Sequence, residues 1–217
     1  MRMKMKHFVS VMFVAFAAAT PLAFAQKWEV GVAGGGTFST SQSVKNAIGN
    51  ADAGFANGYV VSAWLGNNTG NVVGGELRYD YEHSDLKLSS GGTQVNFGAQ
   101  THAIHYDVLL HFAPSESPVR PFIAAGAGVK YFSGTGTEQA FQPLSNIALL
   151  TKTSQIEPMV SLGGGVKFNL GRSAHLRLEA HDFLTPFPKN VIAPAQGSKI
   201  GGWLQDFVIS AGISFLF

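Results

Sequence analysis

The sequence predicts an all-β protein, an eight-stranded antiparallel up-and-down transmembrane β-barrel, and three observations lead there. Ionisable and apolar residues alternate with a period of two over segment after segment, as in strands whose two faces meet different surroundings. The amino-terminal residues have the layout of a secretion signal. The chain ends in an alternating, aromatic-rich segment that closes on Phe217. The 26 glycines and 12% aromatic residues also suit strands and barrel girdles better than helices.

Arg2, Lys4 and Lys6 precede an apolar run from Phe8 to Ala19, and Ala23-Phe24-Ala25 follows as an A-x-A site. Residues 1–25 therefore read as a cleaved signal peptide and residues 26–217 as a single barrel domain. The apolar run is about a dozen residues, short of the roughly 20 that cross a bilayer as a helix. Cleavage removes three bases and no acid, so Lys plus Arg falls from 15 to 12 against 13 acids, and the basic pI of 8.9 belongs to the precursor. The mature chain lacks the basic excess that counterion release on nucleic acid requires. It has no cysteine, so neither disulfides nor thiolate metal sites stabilise it, and a closed strand ladder is one other way to do so.

The first strand is Trp28 to Phe38, with Glu29 inward; the run Gly34-Gly35-Gly36 blurs its alternation. The second, Gly58 to Gly66, leaves its inward face undecided. In the third, Val73, Leu77, Tyr79 and Tyr81 oppose Glu76, Arg78, Asp80 and Glu82, and the pattern extends through Lys87. In the fourth, Thr101 to Phe112, Ile104, Tyr106, Val108, Leu110 and Phe112 oppose His105, Asp107, Leu109 and His111. The fifth, Arg120 to Phe132, puts Arg120 and Lys130 on one parity and Ile123, Val129 and Tyr131 on the other. The sixth, Gln155 to Asn169, opposes Ile156, Val160, Leu162, Val166 and Phe168 to Gln155, Glu157, Lys167 and Asn169. The seventh, Ala174 to His181, opposes Leu176, Leu178 and Ala180 to His175, Arg177, Glu179 and His181. The eighth runs from Phe207 to Phe217, one face apolar and the other mostly small or polar.

The links alternate in length. Asn67 to Gly70, Ala113 to Pro118 and Leu170 to Ser173 are short, with turn chemistry in the first and last; Ser39 to Asn57, Gly134 to Thr153 and Thr185 to Gly202 are long, with Ser89 to Gly92 the exception. Short periplasmic turns and long external loops are the outer-membrane pattern, and an even strand number leaves both termini in the periplasm.

Charges on strands cannot face hydrocarbon, where one at mid-plane costs about 2–4 kcal/mol. A soluble sandwich would alternate as well, with its charges outward. The secretion signal, the number of ionisable groups on strands and the aromatic terminal strand favour the barrel. Glu76, Arg78, Asp80, Asp107, Arg120, Lys130, Glu157, Lys167, Arg177 and Glu179 then form a lumen network. An eight-stranded interior is just wide enough for side chains to fill it, so opposite charges are expected to pair across it and close it.

Two segments, Arg120-Pro121-Phe122-Ile123-Ala124-Ala125-Gly126-Ala127-Gly128-Val129-Lys130-Tyr131 and Asp206 to Phe217, resemble a mid-barrel strand and the final strand of the OmpA/OmpX-like outer-membrane β-barrel domain proteins. The resemblance covers nearly all of the mature chain. It implies residence in the bacterial outer membrane, contact with outer-membrane lipid, and delivery by periplasmic chaperones and the assembly machinery, with Phe215 and Phe217 as the carboxy-terminal assembly signal. The family's roles are varied, so the resemblance fixes fold and destination rather than activity.

Little points to chemistry. Gly34-Gly35-Gly36 and Gly163-Gly164-Gly165 lack the following helix and the Lys-Ser/Thr of phosphate loops, and read as close packing in a narrow barrel. His102 and His105 fall on opposite faces, whereas His105 with Asp107, and Glu179 with His181, read as lumen pairs. A lipid A hydrolase would use His181, Glu179 and Ser161 or Ser154, but the expected serine motif is missing beside His181, which Asp182 and Phe183 follow. The expectation is a monomeric, non-enzymatic barrel without cofactor or metal, structural or binding an external partner through its loops, with a small pore as the alternative. The apolar loop segments Ala140 to Leu144 and Phe187 to Ile192 fit either partner contact or folding back over the mouth.

Overall fold

The computed structural model describes residues 28–47, 49–67, 71–139, 141–171 and 173–217. The signal peptide with its cleavage site, residues 68–70 of the first short turn, Ala140 and Arg172 lie outside them. Every regular element among the described residues is a strand: β1 Trp28–Ser39, β2 Gln42–Asn46, β3 Gly49–Phe55, β4 Gly58–Asn67, β5 Val73–His83, β6 Leu86–Ser90, β7 Thr93–Phe97, β8 Ala99–His111, β9 Val119–Gly134, β10 Ala148–Leu150, β11 Ser154–Asn169, β12 Ala174–Pro186, β13 Ile192–Pro194 and β14 Trp203–Leu216.

Eight of them close a barrel in the order β1-β14-β12-β11-β9-β8-β5-β4, all pairs antiparallel. The first and last barrel strands pair directly, from Glu29 opposite Leu216 to Ser39 opposite Asp206, so no edge is left open. Alternation sets the faces. Val30, Val32, Leu77, Ile104, Ile123, Leu162 and Leu178 are exposed on the outside, while the ionisable parity is buried inside. Aromatic residues collect at both ends of this apolar wall: Trp28, Phe112, Phe215 and Phe217 at the turn end, and Phe38, Tyr59, Tyr131 and Trp203 at the loop end. In β4 the inward residues are Val60, Ser62 and Trp64, and Tyr59 and Val61 face out. Both faces of that strand carry large apolar groups, which is why hydropathy alone could not orient it.

The third barrel strand does not continue through Lys87. β5 ends at His83, and β6 leaves the barrel to pair with β3 and β7. Alternation runs on unbroken, because Leu86 and Leu88 keep the inward parity of Glu82, but they are buried in a second core above the mouth. Gly91 and Gly92, with φ of 54° and 84°, form the two-residue turn between β6 and β7, a conformation that suits glycine. The short link at Ser89 to Gly92 is thus the tip of a long one, and all four connections at this end are long.

Those connections build a cap. A four-stranded sheet β2-β3-β6-β7 and the pair β10-β13 enclose Val44, Phe55, Leu86, Leu88, Phe97, Ile147, Leu150, Phe187, Val191 and Ile192 together with Phe132 and Leu204 of the barrel rim. Phe187, Val191 and Ile192 therefore fold inward over the mouth, with Leu144 packed against them, whereas Phe141 is 76% exposed.

Candidate functional site: the filled lumen

The lumen is filled in layers that follow the strand register. Nearest the turn end, Glu29 meets Lys167 at 2.7 Å and Arg177 at 3.2 Å. Arg177 continues to Glu76 at 2.8 Å and to Glu179, and Arg78 joins Glu179 at 2.5 Å, Glu76 at 3.2 Å and Asp80 at 3.2 Å. Both guanidinium groups lie over the Trp64 ring, 4.3 Å and 5.0 Å from its centroid. The indole has room because residue 31 on the neighbouring strand is glycine; a Cβ there would overlap it.

The next layer centres on His105, whose Nδ1 is 2.9 Å from Asp107 and whose Nε2 is 2.9 Å from Asp80. Carboxylates only accept, so the ring acts as a double donor between them. Ser161 Oγ lies 3.4 Å from Asp107 and 3.5 Å from His181 Nδ1, and His181 Nε2 is 3.7 Å from Glu179. His181 fits against β11 because Gly163 stands opposite it. A belt of Val60, Ala103, Met159, Phe183 and Val208 closes over this layer. Beyond it Lys130 bridges Glu82 at 2.8 Å and Asp206 at 2.5 Å, with Thr101 donating to Glu82 and Thr37 and Ser39 to Asp206. The cap core then seals the outer end.

Of the ten lumen residues read from the sequence, Glu76, Arg78, Asp80, Lys130, Lys167, Arg177 and Glu179 enter buried ion pairs with acids or bases, and Asp107 pairs with His105. Arg120 is buried but donates to the carbonyls of Ala113 and Asn71. Glu157, at the loop end of β11, is half-buried and bonded to Gln155. Three acids of the network lay outside that set: Glu29, read as inward and paired with Lys167 and Arg177, and Glu82 and Asp206. Glu82 is on the inward face of its strand, and Asp206 precedes the point from which the last strand's alternation was counted; parity with Val208, Ser210 and Ser214 marks it as inward. Ser161, His181 and Glu179 come together as a hydrolase would need, yet each is at most 4% exposed, while Ser154 stands exposed at the far end of β11. Phe215 and Phe217, 51% and 71% exposed, face outward at the turn end.

A closed eight-stranded barrel with an apolar outer wall, two aromatic ends and a charged interior has the organisation of a membrane barrel. The model of the outer membrane protein beta-barrel domain matches residues 8–215. The chain belongs to that family. It is a bacterial outer-membrane protein. Barrels of this kind keep short turns in the periplasm and long connections outside, and that general pattern assigns the cap to the external end. No curated protein matches it in sequence. Among solved structures it is similar to Neisserial surface protein A, at 13% identity over 88% of this chain and 97% of that one with a TM-score of 0.54. OprG from Pseudomonas aeruginosa is similar at 12% identity, over 88% and 97% of the two chains, with a TM-score of 0.54. A major outer membrane protein from Thermus thermophilus is similar at 15% identity, over 89% and 100%, with a TM-score of 0.52. At such identities the likeness is one of fold.

Proposed function

We propose that this outer-membrane protein is a plugged barrel that acts as a structural or surface-interaction protein, conducts no solute and catalyses no reaction. The observation that carries the reading is the double closure of the lumen: ion-paired layers separated by an apolar belt, with a packed core over the external mouth. An open pore needs a continuous wet path, whereas here Arg78, Arg177, Lys130 and Lys167 are each under 3% exposed. The hydrolase reading loses support for the same reason, since Ser161 lies beneath the belt and away from both mouths. Outer-membrane lipid is then the partner of the apolar wall, Phe215 and Phe217 are the contact for chaperones and assembly machinery, and the folded barrel is a monomer. The sheet β2-β3-β6-β7 presents the external surface on which a partner would dock. Single-channel recording in planar bilayers tests the plug: the expected trace is silent, and steady, reproducible conductance overturns it.

A further inference from the structure

Four of the chain's five tyrosines stand on one side of the outer wall, at the loop end. Tyr59 is on β4, Tyr79 and Tyr81 are on β5 and Tyr131 is on β9, with His83 of β5 and His102 of β8 on the same outward parity. These four strands are neighbours in the barrel. At the same end the other four, β11, β12, β14 and β1, carry Phe38, Trp203 and Phe207 and, among the described residues, no outward tyrosine or histidine. A girdle that anchors a barrel needs rings around the circumference, and both sides supply them. The hydroxyls and imidazoles belong to one side, so anchoring does not account for them.

The six rings form one cluster around His102. In register His102 stands between Tyr81 and Tyr131, at ring-centroid distances of 5.3 Å and 6.0 Å, and Tyr79, one step toward the turn end, is at 6.1 Å. Tyr59 extends the cluster toward the cap, 6.4 Å from Tyr81 and 5.3 Å from His83. The polar tips are organised. Tyr59 is in hydrogen-bonding reach of Tyr81, and the Tyr81 hydroxyl donates to Gln100 Oε1 at 3.4 Å. The Tyr79 hydroxyl is 2.7 Å from His102 Nδ1. With the phenol as donor, Nδ1 accepts and the ring proton sits on Nε2, which, like the Tyr131 hydroxyl, has no partner among the described residues. Tyr59, Tyr79 and Tyr131 are 50%, 40% and 36% exposed, so the cluster is open from outside.

Among the described residues the outward face of β4, β5, β8 and β9 carries no carboxylate, ammonium or guanidinium. An ionic headgroup would find no counter-charge there, and a plain hydrocarbon chain would leave the hydroxyls unused. A sugar ring matches both features: its C–H face lies on aromatic rings, and its hydroxyls donate and accept as phenol, imidazole and amide do. We propose that this patch binds a neutral sugar in the headgroup of a glycolipid of the external leaflet. His102 Nε2 and the Tyr131 hydroxyl donate to the sugar, Tyr81 and Tyr131 take its face, and the acyl chains run down the wall over Ile104 and Val129, which pair directly beneath His102 and Tyr131. The site rests on the reading of the apolar wall as lipid-facing and is independent of the plug.

The test uses the full barrel refolded in phosphatidylcholine nanodiscs with ¹⁵N-labelled histidine, the His102 ring signals being assigned by their loss in His102→Gln. The probe is dephosphorylated lipid A, an acylated diglucosamine without phosphate, added at rising fractions of the bilayer. A saturable shift of the His102 ring nitrogens is expected. Tyr131→Leu should raise the fraction at half-saturation about tenfold, the worth of one hydrogen bond and a ring contact, and Phe207→Leu on the opposite wall should leave it unchanged. Tyr131→Phe replaces Tyr131→Leu should the latter give no heat-modifiable band. Absence of a saturable shift in a folded, heat-modifiable barrel overturns the site and leaves the lipid-facing wall standing. The same shift with phosphatidylglycerol, or equal weakening by Phe207→Leu, overturns it too, since the patch would then be an unselective part of the girdle. Failure of the parent barrel to enter the nanodisc at all would instead refute the lipid-facing wall.

Discussion

Replacing Lys130 with methionine removes the cation that holds Glu82 and Asp206 together just under the cap. The ammonium is 1% exposed, and its carboxylate partners are 1% and 3% exposed, so none of the three exchanges its contacts for water in the folded barrel. Methionine fills much the same volume and keeps the contacts with Phe132 and Phe183, whose ring centroids lie 5.7 Å and 5.3 Å from the ammonium nitrogen. The loss is therefore electrostatic. Breaking a buried pair from one side costs about 3–5 kcal/mol, because a charge is left in a dry site. With a urea slope of about 2 kcal/mol/M, the unfolding midpoint should fall by about 2 M.

The measurement is the urea midpoint of the refolded barrel, read both by tryptophan fluorescence and by loss of the heat-modifiable gel band. Combining Lys130→Met with Glu82→Gln and Asp206→Asn leaves only neutral groups in the cluster and should recover most of the loss, since neutral, well-packed replacements of buried ions are often harmless. A change for Lys130→Met alone of less than about 0.5 kcal/mol, the size usual for surface positions, would mean that water reaches the ammonium. That result would refute both the pairing argument and the plug.

The remaining expectations use the same assay. Leu77→Arg, at a lipid-facing position 52% exposed to the surroundings, should cost about 2–4 kcal/mol in bilayers, the penalty for a mid-plane cation. Gly31→Ala should cost about 1–3 kcal/mol, because the new methyl overlaps the Trp64 indole beneath two guanidinium groups. Ser161→Ala should cost under about 1 kcal/mol, since its contacts at 3.4 Å and 3.5 Å are long for hydroxyl hydrogen bonds. The same variant should leave lipid A intact to the degree the parent does when incubated products are read by mass spectrometry.

The barrel strands were legible because a strand between hydrocarbon and an ion-filled lumen carries the strongest two-residue contrast a chain can carry. Val73 to Glu82 and Ala174 to His181 needed no other information. The cap was not legible for a related reason. Beyond the mouth both faces of a strand meet protein or water, so Leu86 and Leu88 kept the parity of the barrel while their hydrogen-bonding partners changed. Periodicity reports a side chain's face and says nothing of its neighbour across the sheet. The lumen was legible as a set of charges and not as a set of pairs. Lys130 faces Glu157 in register on the adjoining strand, yet its ammonium goes to Glu82 and Asp206, which reach it from other strands of the wall. In a narrow barrel a long side chain crosses the axis, and strand order alone does not say where it lands.

The cap and the lumen form one mechanical unit. Phe132 on the barrel rim lies 5.5 Å from Phe55 of the cap and also covers the Lys130 ammonium, so the apolar core outside the mouth rests directly on the outermost ion layer. Loops attached only at their ends would meet a partner as an ensemble and lose freedom on docking; strands of a sheet seated on such a core have lost it already. The external surface of this barrel is therefore a preformed shape. The same coupling gives the buried charges a role at a distance: Lys130→Met loosens the layer on which Phe132 stands, and hydrogen exchange should rise in β3 and β6, which carry Phe55 and Leu86, as well as in the barrel strands. Unchanged protection in β3 and β6 alongside increased exchange in β9 would show that the cap holds itself together without the barrel beneath it.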